Sequence, residues 1–428
     1  MKKQIVCLSH TSEFTGGAEA VLISLIATTS DYLDWTVIVP ADVGGFVERL
    51  RGLEVTVRVV VAFTPWWCSG SSYGEHVSEE RLKGSLSRIR REVARSDFTF
   101  TNSMVNPWLA YCAKLENKPH LWYIHEFGDI DHGLKFTLGY KHSLKFISEN
   151  SNKIITISDA VKEHISTEEV RGVGVNIIPQ AIDLVSLTAI PEARYNDGKI
   201  RLLLLGAIKS SKGQLLLIEA LEKLNKKDFL RLDVRIAGPV ADKEFCRLLK
   251  ERVEVLSDRI EVIDKFTDSV VQYEWANVVV VPSLNEALGR TTIEAVASGR
   301  VVIGSNSGAT PEILGGGIGA LFEPGNPNDL ARVISCVIQD GEKGLVPMQQ
   351  RIDSVASRFN EKKQRSAFLA ELSFLENIVD KSDRNKESVQ VDLMAEMISS
   401  GQVEPNFKNC ARLLFRGVRG LGRRLLGG

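Results

Sequence analysis

The chain has 428 residues, 44% of them hydrophobic and 25% charged, and its net charge is −1. A chain that long exceeds what one hydrophobic core organises, so more than one domain of ordinary globular composition is expected. The near-neutral balance argues against a bulk attraction for nucleic acid or membranes, and no nucleic-acid partner is expected.

Lys2 and Lys3 precede a short apolar run at residues 5–8. The run is too short for the core of a secretory signal and reads as a first strand. Further strand-like runs follow at 36–39, 55–61, 98–101, 121–124, 154–157 and 176–178, with helix-like stretches at 21–28, 108–115 and 159–165. This alternation predicts a parallel sheet with helices on both faces. Between 183 and 198 the rhythm lapses around Pro191, Asn196, Asp197 and Gly198, which places a hinge near residue 190. It resumes with strands at 200–205, 232–237, 260–263, 277–281 and 301–304 and helices at 214–224, 242–255, 269–275 and 290–297. Two more helices are predicted at 328–339 and 360–375, the latter with Phe368, Leu369, Leu372 and Leu375 on one face. Residues 380–391 are polar and read as a linker.

From Lys408 onward all charges are basic. Arg412, Arg416, Arg419 and Arg423 share one helical face, and Leu414, Val418, Leu421 and Leu425 share the other. Residues 408–426 thus suit an anionic membrane surface. Gly417, Gly420 and Gly422 weaken such a helix by about 1 kcal/mol each, and an ordinary packed or frayed tail is the rival reading. No stretch is long and apolar enough to span a bilayer. Cys7, Cys68, Cys112, Cys246, Cys336 and Cys410 form no close pair and read as core thiols in a reducing compartment.

Glu286 and Glu294 carry the main chemical signal. The first falls where a predicted strand ends, and the second is expected about two turns into the next helix. The carboxyl edge of an open parallel sheet is where such folds bind ligands. A helix start offers N–H groups to a phosphate, and a carboxylate accepts bonds from neighbouring sugar hydroxyls. If the residues between them are helical, the two acids lie about 12 Å apart. That is wider than the roughly 5 to 9.5 Å a hydrolase pair requires. The turn holding Gly206, Lys209 and Lys212 suits a diphosphate, although surface lysines are commonly just solvated. His125 follows a predicted strand and precedes Glu126, in a position that a core histidine can also occupy. Asp129 and Asp131 have the spacing of a metal-binding pair but read as a solvated acidic loop, so no metal requirement is predicted.

Several ordered pieces carry a family likeness: Gly16-Gly17-Ala18-Glu19, Ile124-His125-Glu126, Ile178-Pro179-Gln180-Ala181-Ile182-Asp183, the Gly206–Gly213 turn, Glu286 with Glu294, and the segment from Ser305 to Ile313. Together they resemble the retaining glycosyltransferases of family 4 over about residues 4 to 375. The resemblance implies an α/β fold of GT-B architecture, with two Rossmann-like doubly wound parallel-sheet domains facing across a cleft. It implies an acceptor-side domain over 1–185, a donor-nucleotide domain over 186–359 and a helix over 360–378 crossing back to the first domain. A polar linker over 379–405 and the basic tail over 406–428 complete the division.

The likeness also implies roles. Glu286 would contact the transferred sugar and Glu294 the ribose. Lys212 would bind the diphosphate, with the amides of Gly289, Arg290 and Thr291 and with Gly206 in the turn. Phe266 and Thr267 would lie at the base, His125 near the sugar, and Gly17 in the cleft lining. Three positions depart from the pattern. Ala207 stands where the family has a phosphate-binding arginine, for which Lys209 could substitute only as a point charge. Gln180 and Ala181 replace Asn-Gly, and Leu288 replaces a common Phe.

The implied activity is retaining transfer from a nucleotide-diphospho-sugar to a glycan or lipid-linked acceptor in surface polysaccharide synthesis. No cofactor or metal is expected, and the location is expected to be cytoplasmic or peripheral on the inner membrane face. The rivals are a sugar-nucleotide epimerase or hydrolase of the same architecture and a non-catalytic sugar-nucleotide-binding protein. A dinucleotide-dependent oxidoreductase fits less well, since Gly16-Gly17 lacks the G-x-G-x-x-G fingerprint.

Overall fold

A computed structural model describes residues 2–14, 16–68, 79–191 and 198–379. The polar linker and the basic tail lie outside the described residues, as does Cys410. The chain divides into two compact units. The first comprises residues 1–157, 161–180 and the segment from Glu361; the second comprises 158–160 and 181–360.

The first unit is built on seven parallel strands: β1 (Lys3–Leu8), β2 (Leu33–Val39), β3 (Val57–Val61), β4 (Phe98–Thr101), β5 (His120–Ile124), β6 (Lys153–Thr156) and β7 (Gly174–Ile177). Their order is β3-β2-β1-β4-β5-β6-β7, so the winding reverses between β1 and β4. β4, β5 and β6 are buried along their whole length, as strands covered on both faces must be. Helix Glu361–Val379 packs against helix Gly17–Thr29. Ser24 Oγ donates to Gln364 Oε1 at 3.1 Å, and Arg365 Nε donates to Thr28 O at 2.5 Å. Phe368, Leu372 and Leu375 of that helix are buried, while Leu369 is only half-buried. Phe368 stacks on Trp35 at 6.0 Å and meets Phe100 edge-on at 5.4 Å.

The second unit has six parallel strands: β8 (Ile200–Leu205), β9 (Leu232–Ala237), β10 (Ile260–Ile263), β11 (Val278–Val281), β12 (Val301–Ser305) and β13 (Ala320–Phe322). The order β10-β9-β8-β11-β12-β13 reverses between β8 and β11. Leu202, Leu204, Ile236, Val278, Val280 and Ile303 join the helices into its core. Four helices begin on the side-chain caps that short polar residues provide: Lys226–Phe229, where Asn225 accepts from Asp228 N–H, and three longer ones. Asp242 accepts from Phe245 N–H, Asp268 from Val270 N–H and Asn326 from Asn328 N–H.

Helices Gly45–Arg51, Glu79–Ala94, Tyr140–Glu149 and Met348–Arg358 were not expected from the sequence. Three of them start after Gly44, Gly139 and Pro347, none with a side-chain cap bond. Glu79–Ala94 is largely polar and is held by a narrow stripe, Leu82, Ile89 and Val93. One thiol reading is also corrected. Cys7, Cys68, Cys112 and Cys246 are buried, but Cys336 is exposed on helix Pro327–Asp340.

Candidate functional site

In each unit the residues singled out above, apart from Phe266 and Thr267, lie in segments that follow the strands at or next to the reversal in winding, the usual ligand position in open α/β sheets. In the second unit the loop after β8 runs through Gly206 and Lys209 into a short 3-10 turn, Ser210–Lys212. It leaves that turn at Gly213, with φ +72°. A Cβ on Gly213 would lie 2.4 Å from Pro282 O, so only glycine lets the loop pass this close to the end of β11. Gln214 Nε2 donates back to Ala207 O at 2.9 Å and fixes the loop's shape. The result is a direct ion pair: Lys212 Nζ lies 2.6 Å from Glu286 Oε1. The lysine side chain is 29% exposed and the glutamate 16%, so the pair is shielded yet reachable.

Glu286 is also fixed through its backbone. Its carbonyl accepts Ala309 N–H at 2.8 Å. Gly308, with φ +55°, packs so closely that an added Cβ would sit 2.5 Å from Glu286 O.

After Glu286 the chain buries Leu288, turns at Gly289 and enters helix Arg290–Ala297. The first intrahelical bond runs from Ile293 N–H to Gly289 O. The amides of Gly289, Arg290 and Thr291 therefore have no intrahelical acceptor, and the positive end of the helix dipole lies there. The helix begins at Arg290 as expected, so Glu294 stands about one turn into it, not two, and residues 285–289 are not helical. The 12 Å separation inferred from a continuous helix does not apply. Glu294 Oε1 is 3.4 Å from Arg290 Nη2, and Oε2 is 3.2 Å from the Tyr273 hydroxyl. Burial raises its pKa, against the opposing pull of Arg290 and Tyr273.

Phe266 and Thr267 follow β10, the edge strand two places from β8. Phe266 is 85% exposed, and Thr267 Oγ1 is buried with no hydrogen-bond partner among the described residues.

In the first unit His125 lies at the end of β5 and Gly17 opens the helix after β1. His125 Nε2 lies 2.8 Å from Asn102 Oδ1. Asn102 Nδ2 donates to Ala18 O at 2.7 Å, which turns Oδ1 toward the ring. That arrangement assigns the proton to His125 Nε2 and leaves Nδ1 as an acceptor. The ring lies against Tyr123, with centroids 4.2 Å apart. Burial pushes His125 down to about 3, with nearby His10 adding to the effect, so the ring is neutral at ordinary pH. A Cβ on Gly17 would lie 3.1 Å from Gln180 Oε1, which shows how closely Gln180 approaches this loop.

Several residues here were not singled out. His10 Nε2 lies 3.3 Å from the buried Glu19 carboxylate, whose other oxygen accepts Gly16 N–H at 2.7 Å. Burial holds His10 at about 4. Glu126, buried and raised in pKa by that burial, accepts from Ser103 Oγ at 2.6 Å and Met104 N–H at 2.8 Å. Residues from the ends of β1, β4 and β5 converge here, and only the strand order could have revealed it. Asp131 is not a solvated acid as expected. It accepts from Phe127 N–H at 3.0 Å and Gly128 N–H at 2.8 Å, while Asp129 Oδ1 meets His164 Nε2 at 2.7 Å. Among the described residues no three His, Cys, Asp or Glu side chains form a cluster that could hold a metal ion.

Residues 188–356 match the family described as glycosyl transferases group 1. Over 237 residues the chain is 29% identical to an uncharacterised glycosyltransferase of Methanocaldococcus jannaschii, covering 54% of this chain and 62% of that protein. Over 146 residues it is 32% identical to D-inositol 3-phosphate glycosyltransferase of Corynebacterium glutamicum, covering 32% and 34%. The chain therefore spans less than two thirds of the length of these curated relatives. Among solved structures, Anabaena HepE in complex with UDP and glucose matches with a TM-score of 0.67 at 18% identity, over 87% of this chain and 99% of that one. Sucrose-phosphate synthase of Thermosynechococcus elongatus matches with a TM-score of 0.65 at 18% identity, over 89% and 100%. These likenesses and the two parallel sheets show that the chain has the GT-B architecture.

Proposed function

We propose that this protein is a glycosyltransferase of the family 4 type. It moves a sugar from a nucleotide-diphospho-sugar to a glycan or lipid-linked acceptor with retained anomeric configuration, in surface polysaccharide synthesis. The observation that carries the proposal is the Lys212–Glu286 pair at 2.6 Å, beside the amides that open helix Arg290–Ala297. A nucleotide-diphospho-sugar offers a partner to each of these, its diphosphate to the cation and the helix N-terminus and its hydroxyls to the carboxylate. The two relatives above are described as glycosyltransferases, which supports the same class of reaction.

The chemistry follows from the side chains. The donor diphosphate takes the Lys212 ammonium and the amides of Gly289, Arg290 and Thr291, with Lys209 adding charge. Lys212 leaves Glu286 as it does so, and the freed carboxylate accepts hydrogen bonds from hydroxyls of the transferred sugar. Lys212 is thus paired before and after donor binding, and the Glu286 carboxylate exchanges its ion pair for hydrogen bonds, which limits the desolvation cost. The bond from the anomeric carbon to the phosphate oxygen breaks while a bond to the acceptor oxygen forms. Positive charge already in place stabilises the departing diphosphate. The acceptor hydroxyl proton passes to a leaving phosphate oxygen. Neutral His125 supplies a hydrogen-bonding group without opposing the cationic character of the sugar. Glu294 holds the ribose, and Phe266 and Thr267 flank the base. In this reading the reaction needs no metal or cofactor, and residues 408–426 bring the enzyme to an anionic membrane surface.

The test incubates the purified protein with a panel of nucleotide sugars, with and without a cell-derived lipid and glycan extract. Product anomers are read by nuclear magnetic resonance. Acceptor-dependent transfer with retention is expected, and Glu286→Ala should abolish it without unfolding the protein. Donor consumption without an acceptor would point instead to an epimerase or hydrolase. Donor binding without turnover would point to a sugar-nucleotide-binding protein. Normal turnover in Glu286→Ala would remove that residue from the site.

A further inference from the structure

The Glu294 carboxylate is gripped on both oxygens, and the two grips differ in kind. Arg290, one turn earlier on the same helix, brings Nη2 to 3.4 Å from Oε1, but its side chain is 44% exposed. Tyr273, on helix Ser269–Trp275, has no solvent exposure, and its hydroxyl lies 3.2 Å from Oε2. The base of the tyrosine is fixed as well. Its carbonyl accepts Arg300 Nε–H at 2.8 Å, and Arg300 is itself only 2% exposed. The hydroxyl has one proton to donate. The alternative acceptor, Thr291 O, is farther at 3.4 Å and neutral, so the proton goes to the carboxylate. An exposed arginine can follow a moving partner, whereas a clamped phenol holds its partner in one rotamer.

We propose that Tyr273 is a positioning residue for nucleotide recognition. Its hydroxyl fixes the Glu294 carboxylate so that the remaining lone pairs face the vicinal hydroxyls of the donor ribose. The inference rests on the reading of Glu294 as the ribose contact. A carboxylate offers about four acceptor sites, so the bonds to Tyr273 and Arg290 leave capacity for a ribose diol. Without the phenol the carboxylate would turn with Arg290 and present that capacity less often.

The test measures affinity of the full chain by titration calorimetry for UDP, GDP, their 2′,3′-dideoxy counterparts and inorganic pyrophosphate. The proteins are the wild type, Glu294→Ala and Tyr273→Phe. The wild type should prefer the ribonucleotide by at least about tenfold, the scale of a hydrogen bond to a charged group. Glu294→Ala should erase that preference, and Tyr273→Phe should cut it several-fold. Pyrophosphate affinity should stay within about twofold in both variants, because the phosphate groups meet Lys212 and the helix amides. A wild type that binds no nucleotide or shows no preference would overturn the ribose assignment and this inference with it, as would a preference that survives in Glu294→Ala. If Glu294→Ala erases the preference and Tyr273→Phe keeps it whole, only the positioning role falls. A Tyr273→Phe protein that fails to fold, or loses pyrophosphate affinity equally, would show the hydroxyl to be structural and likewise overturn the role.

Discussion

Replacing Gly308 by alanine should damage the candidate site without touching any side chain in it. Gly308 has φ +55°, a left-handed conformation that costs an L-residue about 1–2 kcal/mol. Its added Cβ would also lie 2.5 Å from Glu286 O and 2.8 Å from Glu286 N, both backbone atoms that cannot rotate away. Relief requires the Glu286 segment to shift, and overpacking of this kind costs about 1–3 kcal/mol more. Gly316 supplies the control. Its φ is +67°, but an added Cβ would meet nothing within 4 Å. Gly316→Ala should therefore lose about 1–2 kcal/mol and Gly308→Ala about 2–5 kcal/mol. Urea melts followed by circular dichroism compare the two within one unit, and the rate of acceptor-dependent sugar transfer from the nucleotide-sugar panel reads the site. The shift of Glu286 should cut donor turnover by up to about a hundredfold, the scale of a misplacement near 1 Å. Gly316→Ala should stay near wild type in turnover. Equal losses in the two variants, in stability and in turnover, would refute the claim that Gly308 sets the position of Glu286.

Two further outcomes are expected. His120 is 1% exposed and burial pushes it down to about 3, so it folds neutral and charges on unfolding. Its folded pKa lies below the unfolded value near 6.5, so its stabilising contribution is complete above pH 6.5 and shrinks as pH falls toward 3. Between pH 6.5 and pH 4 the loss is at most about 3 kcal/mol, and His120→Gln should flatten the decline in melting temperature over that window; an unchanged decline would show that other groups control it. Deleting residues 405–428 should abolish co-sedimentation with anionic vesicles at low salt while leaving the weak background on neutral vesicles. Unchanged sedimentation would end the membrane proposal.

The parts of the fold legible in the sequence are those where one physical requirement dominates. A strand buried on both faces must be apolar throughout, and Val278–Val281 announces itself for that reason. Asp242, Asp268 and Asn326 mark helix starts because their side chains satisfy an N–H that would otherwise lack a partner. Helices that begin at Gly44 or Gly139 carry no such mark, and Glu79–Ala94 hides its narrow apolar stripe among charges. Helix Arg290–Ala297 begins where the sequence places it, but the expectation that Glu294 lies two turns inside it fails for a related reason. Residues 286–294 have no helix breaker except Gly289, and the turn there depends on Leu288 packing inward and Gly308 pressing on Glu286 from another segment.

The candidate site divides along the same line. Lys212 and Glu286 are 74 residues apart, and their spacing carries no information about contact. What makes them neighbours is the reversal of winding between β8 and β11, which sets their two loops side by side, and Gly213, which lets one loop pass the end of the other strand. The His10–Glu19 and His125–Asn102 contacts arise at the equivalent reversal between β1 and β4 with its neighbour β5. Once strand order is known, a residue just beyond the reversal strands becomes a candidate whatever its local pattern. By that rule His10, Glu19 and Asn102 belong beside His125. Residue type then separates the two sites: the second unit sets a cation and a helix start there, suited to phosphate, and the first sets neutral imidazoles, suited to hydroxyls.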